Sequence, residues 1–167
     1  RMADDLDTFV FGKYTDAGKT ITNASVSTTN IFSVIAEAAE YFKTVNVPAG
    51  VTKYLEVSPA IATKIILAKI IRKTRNDDLI ETGYIGNILG LDIYESNNIV
   101  MNGSAYECLA RTKAAISFAE QLTETVAYQP PKRFGDAVKA LQVWGGKVVR
   151  PKELVRLTLT PAAESQI

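Results

Sequence analysis

Apolar positions recur along this chain in two rhythms, helical at first and alternating later. Met2, Leu6, Phe9 and Val10 fall at i, i+4, i+7 and i+8, one stripe of a helix over residues 2–13. No capping Ser or Asn precedes it, and the chain opens on Arg1 rather than Met. Both features predict the tail of a longer helix in a fragment of a larger protein. Gly12 and Thr15-Asp16-Ala17-Gly18 end the helix, and the Thr-, Ser- and Asn-rich residues 19–30 predict a loop or a short edge strand. A second helix over 29–42 carries Ile31, Ile35, Ala38 and Phe42 inward, with Phe32 and Ala39 widening the apolar face. Pro48-Ala49-Gly50 ends that unit, and residues 51–57 predict a strand.

Ser58-Pro59 places an N-cap and an N1 proline before a helix over 59–73. Ile61, Ile65, Ala68 and Ile71 line one face, and Ile66 and Ile70 widen it enough to predict deep burial. Lys69, Arg72 and Lys73 suit the negative end of the helix dipole. Residues 79–94 turn β-like, with Gly83, Gly86 and Gly90 as turns or bulges. Residues 95–98 predict a turn and Asn102-Gly103 a hairpin. A strand over 105–110 and a short helix over 111–122 follow, the helix with Ala115, Phe118, Ala119 and Leu122 inward. Pro130-Pro131 bends the chain into a strand over 134–144, whose apolar share is Ala137, Val138, Ala140, Leu141 and Val143. Gly145-Gly146 turns or bulges it, Pro151 breaks it, and a last strand alternates Val155, Leu157 and Leu159 before a loose tail over 161–167. Helices first and strands last favour an α+β fold over a regular βαβ array.

Composition narrows the chemistry. Nineteen basic and 18 acidic side chains leave a net charge of +1, against a dedicated nucleic-acid binder or a polybasic membrane anchor. No apolar run approaches the ~18 residues of a membrane span, and Asp4, Asp5 and Asp7 exclude a signal peptide at the N-terminus. With no histidine, Ser-His and Cys-His triads and His-ligated metal sites are excluded. Cys108, the single cysteine, cannot form an internal disulfide; an intracellular setting follows, and Cys108 itself reads as a small buried hydrophobe. Asp4, Asp5 and Asp7 do not converge on one helix face, so they make no metal cluster. Trp144 reads as an interface anchor or a core residue.

Gly18-Lys19-Thr20 imitates the end of a phosphate-binding loop. The motif needs four residues between its first glycine and Gly18, and Gly12 leaves five. A nucleotide-binding enzyme domain using this segment stands as an alternative. No catalytic, cofactor-binding or metal-ligating set emerges from the residues themselves.

Several short motifs in order resemble the major capsid proteins of tailed bacteriophages with the HK97-type fold. They are Met2-Ala3-Asp4-Asp5-Leu6-Asp7, then Glu56-Val57-Ser58-Pro59 leading into a helix. Next comes Gly83-Tyr84-Ile85-Gly86-Asn87-Ile88-Leu89-Gly90-Leu91-Asp92-Ile93-Tyr94-Glu95-Ser96-Asn97-Asn98. Lys113-Ala114-Ala115-Ile116-Ser117-Phe118-Ala119-Glu120-Gln121, then Phe134 through Gly145 and Val148-Val149-Arg150-Pro151 with the closing strand, complete them. The resemblance implies an axial domain plus part of a peripheral domain. Residues 1–19 would end the spine helix of the peripheral domain, 20–128 would form the axial domain, and 129–167 would return strands to the peripheral domain. It implies a prophage or phage coat subunit, truncated at its N-terminus, that assembles with itself as pentamers and hexamers into an icosahedral virion shell. Scaffolding and portal proteins are implied partners, with weak non-specific contact to packaged DNA, no membrane and assembly in the bacterial cytoplasm. An encapsulin-like nanocompartment shell is the alternative within the same fold.

Overall fold

In the computed structural model, residues 2–68, 84–129, 135 and 137–162 are described. Helix α1, Met2–Phe11, runs into a 3₁₀ turn over Gly12–Asp16. Strand β1 is Lys19–Val26, so the polar stretch is an edge strand rather than a loop. Helix α2, Ile31–Thr44, buries Ile31, Val34, Ile35, Ala38, Ala39 and Phe42. Phe32 departs from expectation: it is 42% exposed, because the buried stripe continues through Val34 on the other side of the helix. β2, Lys53–Val57, leads into α3, Pro59–Leu67. Ser58 takes the extended N-cap backbone ahead of Pro59, yet its buried Oγ makes no hydrogen bond. Ile61 and Ile65 are buried, whereas Ile66 and Leu67 face outward, so the broad burial predicted for this helix is confined to one stripe. The basic cluster over 69–75, with Ile70 and Ile71, lies outside the described residues, as do Asp77, Asp78, Gly83, Pro130-Pro131, Phe134 and 163–167.

The remaining strands are β3, Tyr84–Ile88; β4, Leu91–Glu95; β5, Met101–Asn102; β6, Ala105–Thr112; β7, Ile116–Tyr128; β8, Ala137–Val148; and β9, Leu154–Pro161. The main sheet runs β1-β9-β6-β2-β4-β3, with β5 beside β6. β1 is parallel to β9 and β2 to β4; β2–β6, β6–β9 and β3–β4 are antiparallel. Successive side chains alternate between faces. One face carries Ile21, Leu55, Ile93, Cys108 and Leu157, all buried in the layer that α2 and α3 close. The other face carries Glu56, Arg111, Glu107 and Arg156, and the 3₁₀ turn packs over its β6–β9 part. β7 and β8 form a separate antiparallel ribbon twelve rungs long.

Two expectations fail here. Residues 111–122 are helix formers by composition, but no helix forms there: 111–112 end β6, 113–115 turn, and 116–122 begin strand β7, because β8 supplies a hydrogen-bonding partner from Ile116↔Val148 to Tyr128↔Ala137. Gly145-Gly146 does not turn or bulge the chain: β8 runs straight through both, paired with Ala119 and Phe118, and the register shift falls at Leu122/Glu124 on the opposite strand. Gly146 is small for a packing reason, since a Cβ there would meet Phe9 Cε1 and the Ser117 carbonyl at 3.1 Å. β8 pairs with β7, and β9 lies between β1 and β6 in the main sheet. Pro161 and Ala162 are not loose: Ala162 N donates to the Val26 carbonyl at 2.8 Å, and buried Lys64 donates to the Ala162 carbonyl at 2.9 Å.

The β3–β4 hairpin turns through Leu89 (φ 54°) and Gly90 (φ 82°), the two positive angles of a type I′ turn. Asn87 holds it, donating to Asp92 Oδ1 at 2.7 Å and accepting from Gly90 N at 3.2 Å. Leucine pays a steric penalty in this region that asparagine largely avoids. Leu89→Asn should therefore raise unfolding stability by about 1 kcal/mol in urea titration. Gly18 is the opposite case. Its N–H donates to the Pro151 carbonyl at 2.9 Å, and an added Cβ would lie 2.5 Å from that oxygen. Gly18→Ala should cost about 2 kcal/mol. Gly12→Ala, which meets nothing within 4 Å, should change stability by less than about 0.5 kcal/mol in the same titration.

Candidate functional site

The phosphate-loop imitation dissolves in the fold. Gly18 sits against Pro151 and Leu154 at the mouth of β1, and Lys19 and Thr20 begin a strand paired with Val155 and Arg156. A phosphate cradle needs successive N–H groups at a helix N-terminus, and here those groups enter a sheet ladder. Cys108 is fully buried in β6, and burial, the largest cause, pushes its thiol up to about 12 against a Ser58 backbone hydrogen bond that lowers it. A thiol so protonated is a packing group, as its surroundings predict. Among the described residues no three His, Cys, Asp or Glu side chains gather in a way that could hold a metal. No described helix is long and apolar enough to cross a membrane.

The charged groups instead form a structural ladder on the open sheet face. Arg156 grips Glu107 with two hydrogen bonds of 2.7 Å, Thr158 adds a third of 2.7 Å, and the Arg156 guanidinium lies 4.7 Å from the Tyr14 ring centroid. Four segments are tied together by this cluster: β6, β9, the 3₁₀ turn and, through the hydrogen bond from Asn102 to Glu107, β5. Burial would raise the Glu107 carboxyl, but the bonds from Arg156 and Thr158 and the Arg156 charge outweigh it and hold it below its usual value. Further along β6, at its seam with β2, Arg111 binds Glu56 through Nε (3.1 Å) and Nη2 (2.5 Å). Tyr54, Glu56, Tyr94, Arg111 and Lys113 line an open hollow of about 350 Å³, with the two tyrosine rings 6.0 Å apart.

The second feature is the β7–β8 ribbon. Its base is locked to the body: Val149 N and Arg150 N both donate to the Ala115 carbonyl, and Thr112 donates to Glu153. The Thr112 bond comes first among the influences holding the Glu153 carboxyl low, and it prevails, with Arg150, over partial burial. On one face Phe9 of α1 packs against Phe118, ring centroids 6.4 Å apart, over Gly146. The register puts Val143, Leu141, Val126 and Tyr128 together on the opposite face. Val126, Leu141 and Val143 are exposed there, Leu141 by 53%, and Lys139 lies 3.5 Å above the Tyr128 ring. Trp144, neither core nor free, is 36% exposed on the Phe9 side. Isolated two-stranded ribbons are marginal in water, and contiguous exposed apolar groups mark interaction surfaces. Phe118, Leu141 and Val143 were legible as apolar helix or strand positions. The outward direction of Leu141 and Val143 was not, since only the ribbon's register shows it.

No family model matches the sequence, and no curated protein sequence matches it. Solved structures do. Over 93% of this chain it is similar to a protein of Mycobacterium phage Che8, at 28% identity and a TM-score of 0.74, covering 58% of that chain. It is similar to a chain of the cyanophage P-SCSP1u capsid over 98% of its length, with 16% identity, a TM-score of 0.70 and 63% of that chain covered. A chain of the mature capsid of bacteriophage PhiM1 gives 16% identity and a TM-score of 0.69, covering 95% of this chain and 61% of that one. The chain thus spans about three fifths of the length of the structures it matches. Its α+β fold is the HK97-like fold of phage capsid proteins, as the motifs implied.

Glu107→Ala leaves Arg156 without its carboxylate and should cost about 3 kcal/mol in urea unfolding. The pH sign follows from the lowered carboxyls. Glu107 and Glu153 contribute stability above their ordinary value of 4.5, and that contribution is lost as pH falls below it toward their depressed folded values. The fall in stability of the wild type below pH 4.5 should be shallower in Glu107→Gln, measured by urea midpoints from pH 6 to pH 3.

Proposed function

We propose that this chain is the wall-forming part of a major capsid protein, a structural subunit that assembles with copies of itself into a closed shell around phage DNA. The similarity to the Che8 protein carries this reading, because it joins 28% identity to 93% coverage of the chain. The ribbon supports it physically: a marginal two-stranded element with one apolar face uncovered is stabilised when a neighbouring subunit covers that face. Subunits repeated by heterologous contacts close into rings of five and six. In this reading α1 ends the spine helix and, with the β7–β8 ribbon it packs against, forms the peripheral part. The main sheet with α2, α3 and β9 forms the axial part. The shell would be the virion capsid, assembled in the bacterial cytoplasm with scaffolding and portal proteins. Packaged DNA would be met weakly through its phosphates. The work is mechanical rather than catalytic.

An encapsulin-like compartment is the second reading. A chain of the SrpI encapsulin complex from Synechococcus elongatus covers 99% of this chain at a TM-score of 0.65, with 9% identity and 64% of that chain covered. The two readings differ in what the shell encloses, and the higher identity to a phage protein favours the first.

Electron microscopy of the purified chain, with sedimentation velocity, tests the proposal. Ring oligomers or closed shells are expected. Leu141→Asp should shift the sedimentation profile toward monomer by about tenfold in concentration while leaving the melting temperature within a few degrees. A wild-type chain that stays monomeric at every concentration would overturn the shell reading.

A further inference from the structure

Asn102 is the one asparagine of this chain that precedes a glycine. The pair closes the β5–β6 hairpin, where Asn102 opposes Ala105 and leaves Gly103 and Ser104 as the central residues. Gly103 takes φ 64°, the positive angle that places glycine first in a type II′ turn. Residues Met101 to Ser104 are all exposed. A Cβ on Gly103 would meet nothing within 4 Å, so there is room beside its nitrogen. Among the described residues no backbone carbonyl accepts a hydrogen bond from the Gly103 N–H.

That nitrogen is placed to attack the asparagine before it. The Gly103 nitrogen bonds to Asn102 Cγ, the Cγ–Nδ2 bond breaks, and ammonia leaves carrying the backbone amide proton. Water then opens the five-membered imide on either side. The products are aspartate with the original backbone, or isoaspartate with one extra carbon in it. A side chain on the following residue obstructs the attack, and glycine has none. Every other asparagine here is followed by a residue that carries a side chain. Two of them are also held: Asn87 by Asp92 and Gly90, and Asn30 by the Ser27 N–H and the Ser25 carbonyl.

The consequence lies across the hairpin. Side chains alternate along β6, so Asn102, opposite Ala105, shares a sheet face with Glu107. Glu107 N donates to the Val100 carbonyl at 2.9 Å, which makes Asn102 its diagonal neighbour, about 7 Å away. The Asn102 amide donates to the Glu107 carboxylate, which is fully buried and already holds Arg156 and Thr158. A carboxylate in place of that amide cannot donate, and it sets a second negative charge against a group that Arg156 already balances.

We propose that Asn102 is a site of spontaneous deamidation, and that its product loosens the β5–β6 corner by setting a carboxylate beside Glu107. Isoaspartate acts in the same direction, because its added backbone carbon no longer fits a two-residue turn. Water is the only co-reactant. An exposed turn thus transmits a slow chemical change to the buried pair that joins β6 to β9.

Storage of the purified chain at mildly alkaline pH for several weeks provides the test, read by peptide mass spectrometry and urea unfolding. The peptide bearing Asn102 should convert to aspartate and isoaspartate about tenfold faster than any other asparagine peptide. The urea midpoint of the stored chain should fall by about 0.5 M. Asn102→Gln keeps an amide donor and closes its larger ring less readily, so it should hold its midpoint over the same period. Fresh Asn102→Asp should reproduce the fall, and Asn102→Ala, which loses only the donor, should fall by less. Should Asn102→Asp fail to fold, the stored wild type supplies the same comparison. Conversion no faster than at the other asparagines would overturn the proposal, as would a stored or Asn102→Asp chain with the midpoint of the fresh wild type.

Discussion

The insertion of β9 between β1 and β6 is the constraint on which the rest of this structure depends. β1 meets the sheet only through β9, so without the last described strand the N-terminal edge has no partner. The buried Glu107 carboxylate, gripped by Arg156 and Thr158, joins β6 to β9 across the same seam. Lys64 then ties α3 to the strand's end at Ala162. Residues near both ends of the chain must come together before the apolar face of the sheet is complete. Such non-local pairing slows folding, because loop closure precedes the contacts that offset it.

Around that seam the molecule separates into what is finished and what is open. The layer between the sheet and α2–α3 is closed: Ile31, Phe42, Leu55, Ile61, Ile65 and Leu157 are all within 1% of full burial. The β7–β8 ribbon, the hollow beside Lys113 and the Phe32 face of α2 are open. An enzyme of this size concentrates unusual chemistry in a cleft. Among the described residues the perturbed groups are a packing thiol, two carboxylates held by hydrogen bonds and the Arg156 guanidinium bound to one of them, all accounted for by structure. The open features are surfaces that neighbouring subunits would cover in the proposed shell.

Much of the fold was legible in the sequence. The periodic stripe through Ile31, Ile35, Ala38 and Phe42 gave α2, Ser58-Pro59 gave the start of α3, and the alternation Val155, Leu157, Leu159 gave β9. Asn102-Gly103 marked its turn correctly, with Gly103 at φ 64°. Residues 111–122 misled because alanine, glutamate, glutamine and leucine favour a helix locally, while β8, whose partners lie twenty or more residues away in sequence, decided the outcome for 116–122. The Glu107–Arg156 and Glu56–Arg111 pairs could not be read at all, since 49 and 55 residues separate their members. Exposure of Phe32 and Leu141 was hidden for a related reason: composition identifies an apolar residue, but only the fold says which way it faces. The family motifs succeeded where local patterns failed, because their order carries information about long-range pairing that no single segment holds.

The solitary thiol offers a different kind of consequence. Cys108 lies at the middle of β6, paired to Leu157 and fully enclosed. With no second cysteine in the chain, any thiol-reactive dye attached to this protein reports one location only. The dye can reach it only when the layer between the sheet and α2–α3 opens. The molecule therefore carries its own clock for the opening of its core.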